Sequence, residues 1–241
     1  MSNYIYGKNA LREALLAKRV NKLFVINYDG YNEWINLAKK NNVLVKKVSE
    51  VEINNLIGKG KPHQGIVGEI TEYNYSSLED IINYKNNCKY PLIIMLDGLE
   101  DPHNLGAILR TADATSANGI IIPKNRSVSL NDTVAKVSTG AIEYVKVCQV
   151  ANLTQTLNIL KEKGYWVVAL ELAEGAVEYT KVKYDMPVVL IVGSEGKGIS
   201  RLVLEQADYK VYLPMSGHVN SLNASVSASI MLYEINKYRK E

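Results

Sequence analysis

Three loops of this sequence carry side chains that could do chemistry on a bound molecule. Residues 97–110 end in Asn104 and Arg110, residues 193–200 hold Glu195 among three glycines, and residues 214–225 include Ser221 and Asn223. A helix through residues 104–110 separates Asn104 and Arg110 by about 120°, which is too wide for one tight face. The two side chains could still reach one ligand from neighbouring directions.

The glycine loop at residues 193–198 does not match the common nucleotide-binding motifs. A phosphate-binding P-loop would need Ser or Thr after Lys197, where Gly198 stands, and the glycine spacing is wrong for a dinucleotide fingerprint. Three glycines in six residues do allow positive φ and close approach of main chain to a ligand. A glycine-rich turn with a solvated Glu195 is the plain alternative.

The elements around these loops predict where the loops lie. Short Val- and Ile-rich runs are typical of strands buried on both faces of a parallel sheet. The predicted strands are Pro91–Leu96, Gly119–Ile122, Trp166–Leu170, Pro187–Val192 and Tyr209–Leu213. The predicted helices are Leu105–Ala114, Asn152–Lys163, Ile199–Gln206 and Leu222–Tyr238. This alternation indicates an α/β sheet covered by helices on both faces, whose ligands bind beyond the carboxyl ends of the strands.

The first seventy residues predict a separate small α/β domain. Its predicted helices are Asn9–Arg19, Asn32–Lys40 and Glu50–Ile57, and its predicted strands are Lys22–Ile26, Val43–Val48 and Gly65–Thr71. We place this domain at residues 1–72, a linker at 73–77 and the larger domain at 78–241. Residues 1–70 carry a net charge of +5 and the remainder −2, which suggests a polyanion-binding module. A solvated Lys-rich surface explains the charge equally well.

Together the loops resemble the three motifs of the SpoU (TrmH-type) ribose methyltransferases of the SPOUT superfamily. The quoted segments are residues 104–114, 193–198 and 215–223. Segments 6–15 and 63–67 look like the small substrate-binding domain of the RlmB-like branch, which methylates a guanosine of large-subunit ribosomal RNA. His218 departs from the motif, and we assign it no role.

This resemblance implies a fold, a cofactor and a reaction. The C-terminal sheet would be mostly parallel and threaded into a deep trefoil knot. The reaction would be S-adenosylmethionine-dependent 2′-O-methylation of an RNA ribose. The resemblance assigns catalytic roles to Arg110, Asn104, Glu195, Ser221 and Asn223. A guanidinium is a poor base because it stays protonated in proteins, so we expect Arg110 to bind phosphate and stabilise alkoxide character, oriented by Glu195 and Asn223.

The resemblance also implies cofactor, RNA and partner contacts. The expected cofactor-binding residues are Gly193, Leu213, Met215, Leu222 and, more weakly, Leu170. The expected phosphate contacts are Lys8, Arg12, Lys18, Arg19, Lys22 and Lys61. A homodimer is expected, since Val226, Ile230, Met231 and Ile235 would give the last helix more apolar surface than one partner needs.

The remaining features narrow the class of protein. No apolar run is long enough to cross a membrane, and no Cys/His pair has zinc spacing, so we expect a cytoplasmic protein without a metal. Cys88 and Cys148 are expected to be ordinary thiols. His103 is a rival base, and His63 is expected to be structural or to contact RNA.

Several functions stay open at this point. The chain could be a tRNA ribose methyltransferase or a resistance-type enzyme acting on another ribosomal loop. It could also be a non-catalytic RNA-binding factor for ribosome assembly, although the intact polar residues oppose that. A nicotinamide-dependent enzyme is strongly disfavoured, because the glycine spacing of residues 193–198 does not match the dinucleotide-binding fingerprint.

Overall fold

The structure is a computed structural model that describes residues 3–240. It divides into two compact units: the first comprises Met1–Asn74 and Leu130–Tyr144, and the second Tyr75–Ser129 and Val145–Glu241. The first break lies near the predicted linker, but Leu130–Tyr144 groups with the first unit although the sequence analysis put it in the larger domain. The limits of independently folding domains stay a prediction.

The elements alternate along the chain as expected. The helices are α1 (Lys8–Leu16), α2 (Asn32–Lys40), α3 (Glu50–Ile57), α4 (Leu78–Ile82), α5 (Pro102–Ala114), α6 (Asp132–Val137), α7 (Leu153–Glu162), α8 (Arg201–Leu204) and α9 (Ala224–Arg239). The strands are β1 (Asn3–Tyr6), β2 (Val20–Val25), β3 (Leu44–Lys47), β4 (Ile66–Ile70), β5 (Leu92–Asp97), β6 (Gly119–Pro123), β7 (Val147–Val150), β8 (Trp166–Leu170), β9 (Val177–Glu178), β10 (Val188–Gly193) and β11 (Tyr209–Tyr212).

The first unit is built on a four-stranded mixed sheet in the order β1-β4-β2-β3. Strand β4 pairs antiparallel with β1 and β2, while β2 and β3 run parallel. Apolar residues of β2, α3 and β4 form one core, with Phe24, Val48, Ile53, Ile57 and Val67 buried. The small α/β organisation predicted from the sequence is therefore present, with β1 and α6 as additions.

The second unit is built on seven parallel strands in the order β7-β6-β5-β10-β8-β11-β9. Strands β5 and β10 are almost wholly buried, as their unbroken apolar runs predict. One face of the sheet packs against α4, α7 and α8 through residues that include Ile81, Leu157 and Val203. The predicted parallel α/β fold is confirmed, whereas the trefoil knot stays a prediction.

Chain order reverses between β5 and β10. From β5 the chain continues outward to β6 and β7, and from β10 it continues the other way to β11. In open α/β sheets such a reversal opens a crevice at the carboxyl ends of the two strands, where ligands bind. Among the helices of residues 3–240, none is long and apolar enough to cross a membrane.

Candidate active site

Helix α5 begins directly beyond the carboxyl end of β5. Asp101 accepts a hydrogen bond from the main-chain N–H of His103 at 2.9 Å, and Pro102 occupies the first turn, where its missing N–H costs nothing. These two residues fix the start of the helix. Asn104 follows in the first turn and is only 5% exposed. A buried amide at this point needs hydrogen-bonding partners from another loop.

The glycine loop beyond β10 turns back on itself. Ser194 and Gly198 exchange main-chain hydrogen bonds of 3.2 and 2.9 Å, and Gly196 and Gly198 have φ values of +84° and +66°. Gly193 packs so closely on Gly198 that a Cβ at either residue would collide with its neighbours. The glycines are therefore required by this tight turn, and the turn projects Glu195 from its tip.

Asn223 caps the start of α9. Its Oδ1 accepts hydrogen bonds from the N–H of Ser225 at 3.0 Å and of Val226 at 3.4 Å. Because the cap uses only Oδ1, the Nδ2 donors stay available for the neighbouring loops. The capping geometry thus points one side of the amide toward the crevice.

Asn104, Glu195 and Asn223 meet in one hydrogen-bonded triangle. Glu195 Oε1 accepts from Asn104 Nδ2 at 3.0 Å and from Asn223 Nδ2 at 2.6 Å, and Asn223 Nδ2 also lies 2.9 Å from Asn104 Oδ1. These residues come from three loops that are far apart in sequence. The structure therefore brings together three of the five predicted catalytic residues at the β5/β10 crevice.

Arg110 and Ser221 stand apart from this triangle. Both are exposed, and neither has a hydrogen-bond or ion-pair partner among residues 3–240. No hydrogen bond or ion pair joins Arg110 to Glu195 or Asn223 among these residues, and the expectation that they orient Arg110 stays a prediction. Arg110 is a free cation on α5, two turns beyond Asn104.

The small residues of α9 allow it to lie against α5. Thr111 Oγ1 and Ser229 Oγ are 2.8 Å apart, and Ala228 is fully buried. Met231 and Ile235 are also fully buried, so they pack inside the unit and not on an open surface. Val226 stays exposed.

The residues expected to contact a cofactor follow the same edge of the sheet. Gly193 ends β10, and Leu170 ends β8 opposite Val192 and Val211. Leu213 directly follows β11 and is half-buried, as is Met215, while Leu222 is 37% exposed. Half-buried apolar side chains beside strand ends are what a flat aromatic base would need, while a Cβ at position 193 would collide with the main chain of Gly198 and Ile199.

The six cations predicted to contact RNA are not equivalent. Arg12 forms ion pairs with Glu33 and Glu13 at 2.6 and 2.8 Å. Lys18 is exposed. The amine of Lys8 lies over the rings of Tyr31 and Trp34, that of Lys22 over Phe24, and that of Lys61 over Tyr6.

Arg19 does not fit the prediction of a phosphate contact. Its side chain is 17% exposed and its Nε lies 2.7 Å from Glu143, whose side chain is 2% exposed. The guanidinium also stacks 3.6 Å from the centre of the Tyr73 ring and donates to the carbonyl of Thr71 at 2.9 Å. A guanidinium held in this way is committed to the interior of the unit.

The histidines take local roles. His63 Nδ1 accepts from the N–H of Gly65 at 3.0 Å and so stabilises a turn. The side chain of His103 is exposed. Sequence reasoning missed two carboxylates at this edge, Asp97 and Glu171, which accept hydrogen bonds from the end of the glycine loop. Their only signal was their place at the ends of predicted strands.

Comparisons with known proteins agree with this geometry. Residues 91–233 match the SpoU rRNA methylase family, and residues 4–76 match the substrate-binding domain of RNA 2′-O ribose methyltransferases. A relative in Staphylococcus saprophyticus, assigned to the TrmH family of tRNA/rRNA methyltransferases, is 45% identical over 98% of this chain and 95% of its own.

Two solved structures are similar in fold. An rRNA methyltransferase from Sinorhizobium meliloti with bound AdoMet has a TM-score of 0.82 at 27% identity, covering 98% of this chain and 87% of its own. A TrmH/SpoU tRNA-modifying enzyme from A. aeolicus has a TM-score of 0.58 at 31% identity, covering 67% and 80%. The chain belongs to the SpoU (TrmH-type) family of RNA methyltransferases.

Proposed function

We propose that this protein transfers the methyl group of S-adenosylmethionine to the 2′-hydroxyl of a guanosine in a loop of large-subunit ribosomal RNA. The observation that carries the proposal is the triangle of Asn104, Glu195 and Asn223 at the β5/β10 crevice. Its members are polar residues, one from each of the three family motifs. A retired site would have no reason to keep three polar side chains in mutual contact beside a glycine loop.

The fit of the cofactor rests on the neighbouring edge. Gly193 lets the loop after β10 fold back closely on Gly198, and Leu213, Met215 and Leu222 offer partly exposed apolar surface at the same edge. Leu170 adds a weaker contact from β8. When bound there, S-adenosylmethionine supplies a methyl group on a sulfonium, which is open to in-line attack by an oxygen.

The residues of this chain would align the acceptor. Correct placement of two reacting groups supplies much of the acceleration of a displacement reaction. Glu195 accepts from both amides, so the triangle is a rigid polar surface against which the ribose can be held. Arg110, exposed and uncommitted, would bind the adjacent phosphate and stabilise negative charge as the hydroxyl loses its proton. Ser221 would add a further hydroxyl contact.

The small unit supports an RNA substrate, and ribosomal RNA is our choice. Lys8, Lys18, Lys22 and Lys61 keep amines that can reach phosphates, and the half-buried rings of Tyr31, Trp34 and Tyr6 beside Lys8 and Lys61 can stack with unpaired bases. The match of residues 4–76 to a substrate-binding domain supports the same assignment. We further propose a cytoplasmic homodimer, with exposed Val226 and Tyr233 of α9 toward the partner.

A tRNA ribose methyltransferase is the second candidate. It is favoured by the A. aeolicus tRNA-modifying enzyme, although that similarity covers only 67% of this chain. A non-catalytic assembly factor would bind RNA and transfer nothing, which an activity measurement separates at once.

The test is transfer of labelled methyl groups to unmodified large-subunit RNA, small-subunit RNA and bulk tRNA, followed by nuclease mapping. Label on a 2′-oxygen of a large-subunit guanosine is the expected result, and Arg110→Ala should lower turnover by about 100-fold while folding is unchanged. Label found only in tRNA would overturn the ribosomal assignment. No label on any RNA, naked or within ribosomal particles, would overturn the enzymatic function.

A further inference from the structure

Two carboxylates outside the Asn104–Glu195–Asn223 triangle hold the end of the glycine loop. Glu171 Oε2 accepts a hydrogen bond from the main-chain N–H of Ile199 at 3.0 Å. Asp97 Oδ2 accepts from the next N–H, that of Ser200, at 2.7 Å. Two consecutive amides of the chain are thus fixed from two different side chains. Bonds from an N–H to a charged acceptor are among the stronger ones in proteins.

Both carboxylates are attached to rigid parts of the sheet. Asp97 is the last residue of β5 and pairs with Gly193, the last residue of β10. Glu171 follows β8, and its own N–H donates to the carbonyl of Val211 at 2.9 Å. Strand β10, which carries the loop, runs between β5 and β8. The two carboxylates therefore hold the loop from the strands on either side of its own.

Within the loop, the main-chain hydrogen bonds between Ser194 and Gly198 close the turn, and its tip is open to solvent. Glu195, Gly196 and Lys197 are exposed, and two of its glycines have positive φ. Gly198 lies so close to Glu171 that a Cβ at this position would sit about 2.5 Å from the carboxylate. At the exit of the loop, Glu171 and Asp97 thus add contacts that the turn does not make for itself.

We propose that Asp97 and Glu171 are positioning residues for Glu195. By fixing Ile199 and Ser200 they hold the far end of the glycine loop, and with it the place of the Glu195 carboxylate against Asn104 and Asn223. This inference rests on the proposed function of the triangle. A misplacement of about 1 Å in an active site can cost about 100-fold in rate.

The test compares matched variants in steady-state methyl transfer. Glu171→Ala and Asp97→Ala should each lower kcat by about 10-fold or more, with KM for RNA changed by less than about 3-fold. Glu171→Gln and Asp97→Asn keep a side-chain oxygen acceptor and should recover most of the rate. Glu174→Ala and Glu100→Ala remove exposed carboxylates three residues further along and should leave kcat unchanged.

A double-mutant cycle distinguishes positioning from a direct role. If Glu171 acts through Glu195, then Glu171→Ala should cost little once Glu195→Ala is already present, because residues that act as a unit are not additive. A further loss of about 10-fold or more in that background would overturn the inference. So would an equal loss in the Ala and Gln variants.

Amide hydrogen exchange supplies a readout without turnover. Glu171→Ala should raise the exchange rate of the Ile199 amide, and Asp97→Ala that of Ser200, by about 10-fold, while amides of β8 keep theirs. Unchanged exchange at both amides would overturn the positioning role. If the unaltered protein transfers no methyl group, the proposed function fails by itself, and these exchange rates still decide whether the two carboxylates hold the loop.

Discussion

Each unit contains a polar cluster drawn from three distant parts of the chain, and the two clusters differ in how they treat charge. In the second unit, Asn104, Glu195 and Asn223 meet at an exposed crevice, where one carboxylate is satisfied by two amides. In the first unit, Arg19 and Glu143 form a buried ion pair beside Tyr73, and several of their polar atoms have no hydrogen-bond partner among the described residues.

The difference separates a cluster that fixes structure from one that is available for binding. A buried ion pair loses the solvation of both charges, so each charge depends on the other and cannot be released to a ligand. The triangle lies at the surface and leaves Arg110 uncommitted nearby. Charged residues in themselves did not distinguish the two clusters; their burial and their partners did.

Removing the carboxylate of each cluster should reveal the difference most clearly, because the two units should lose very different amounts of stability. Glu143→Ala leaves the Arg19 guanidinium buried without its counter-charge, so the free energy of unfolding of the first unit should fall by about 3 kcal/mol. Glu195→Ala should lower that of the second unit by only about 1 kcal/mol, because its carboxylate is exposed although the buried Asn104 amide loses an acceptor.

The two tryptophans allow the units to be followed separately. Trp34 lies in α2 and Trp166 in β8, so Trp166→Phe leaves a reporter for the first unit and Trp34→Phe one for the second. Denaturant unfolding in each background gives the two values. Equal losses for the two acids would contradict the distinction between a structural and a functional cluster.

The second prediction separates the two functions of Asn223. Asn223→Ala removes the cap of α9 and should lower the free energy of unfolding of the second unit by about 1 kcal/mol. Asn223→Asp keeps an oxygen for the cap but loses the Nδ2 donors and places a second carboxylate against Glu195. Methyl transfer should fall in both variants. Repulsion between the two carboxylates also lowers the stability of Asp, so the contribution of the cap is taken from Ala against a neutral capping residue.

Denaturation and turnover of the same two preparations check this outcome. Asn223→Ser is the matched control, since it retains a capping oxygen without adding charge. Full activity in Asn223→Asp would mean that the triangle does not serve the reaction.

The third prediction concerns pH and the charged surroundings of Arg19. Burial raises the pKa of Asp132, although Lys61 and Arg19 oppose the rise. A raised pKa in the folded state means that folding disfavours the charged form. The stability contributed by Asp132 is therefore present below the ordinary carboxyl value of about 3.9 and is lost as pH rises through the folded value.

Asp132→Asn removes this titration. Relative to the unaltered chain, the variant should gain less than about 1 kcal/mol in unfolding free energy between about pH 4 and about pH 7. Trp34 fluorescence in the Trp166→Phe background measures it. A relative loss of stability toward neutral pH would show that the attraction of Lys61 and Arg19 outweighs burial.

The sequence predicted the catalytic unit better than the small one. Asn104, Glu195 and Asn223 each follow a predicted strand, and strand ends in a parallel sheet meet at one edge, so their convergence could be anticipated. Strand β7 was not predicted, because Val147–Val150 is short and contains the polar residue Gln149. The sequence also could not show which residues bind Glu195, since its hydrogen-bond partners depend on side-chain geometry.

Arg19 illustrates what sequence could not provide. Its partner Glu143 is 124 positions away, in a short helical turn that groups with the first unit only in three dimensions. Without that contact, a basic residue after α1 is typical of a solvated or RNA-binding cation. Net charge predicted the kind of surface but could not identify which cations are committed to the interior.

The smallest effect is expected from Tyr73→Phe, and it bears directly on the buried cluster. The Tyr73 hydroxyl is buried beside Arg19 but makes no hydrogen bond of good geometry with a described residue, and burial raises the pKa of this group, so it stays neutral. Its ring, which stacks on Arg19, is kept by Phe. Because an unsatisfied buried hydroxyl costs free energy, its removal should leave the first unit equally stable or up to about 1 kcal/mol more stable. Tyr73→Ala, which also removes the ring, should destabilise it. A loss of about 1 kcal/mol or more in unfolding free energy for Tyr73→Phe, followed by Trp34 fluorescence, would contradict this prediction. The hydroxyl would then have a partner in solution, and the cluster would be a complete hydrogen-bonded network like the triangle of the second unit.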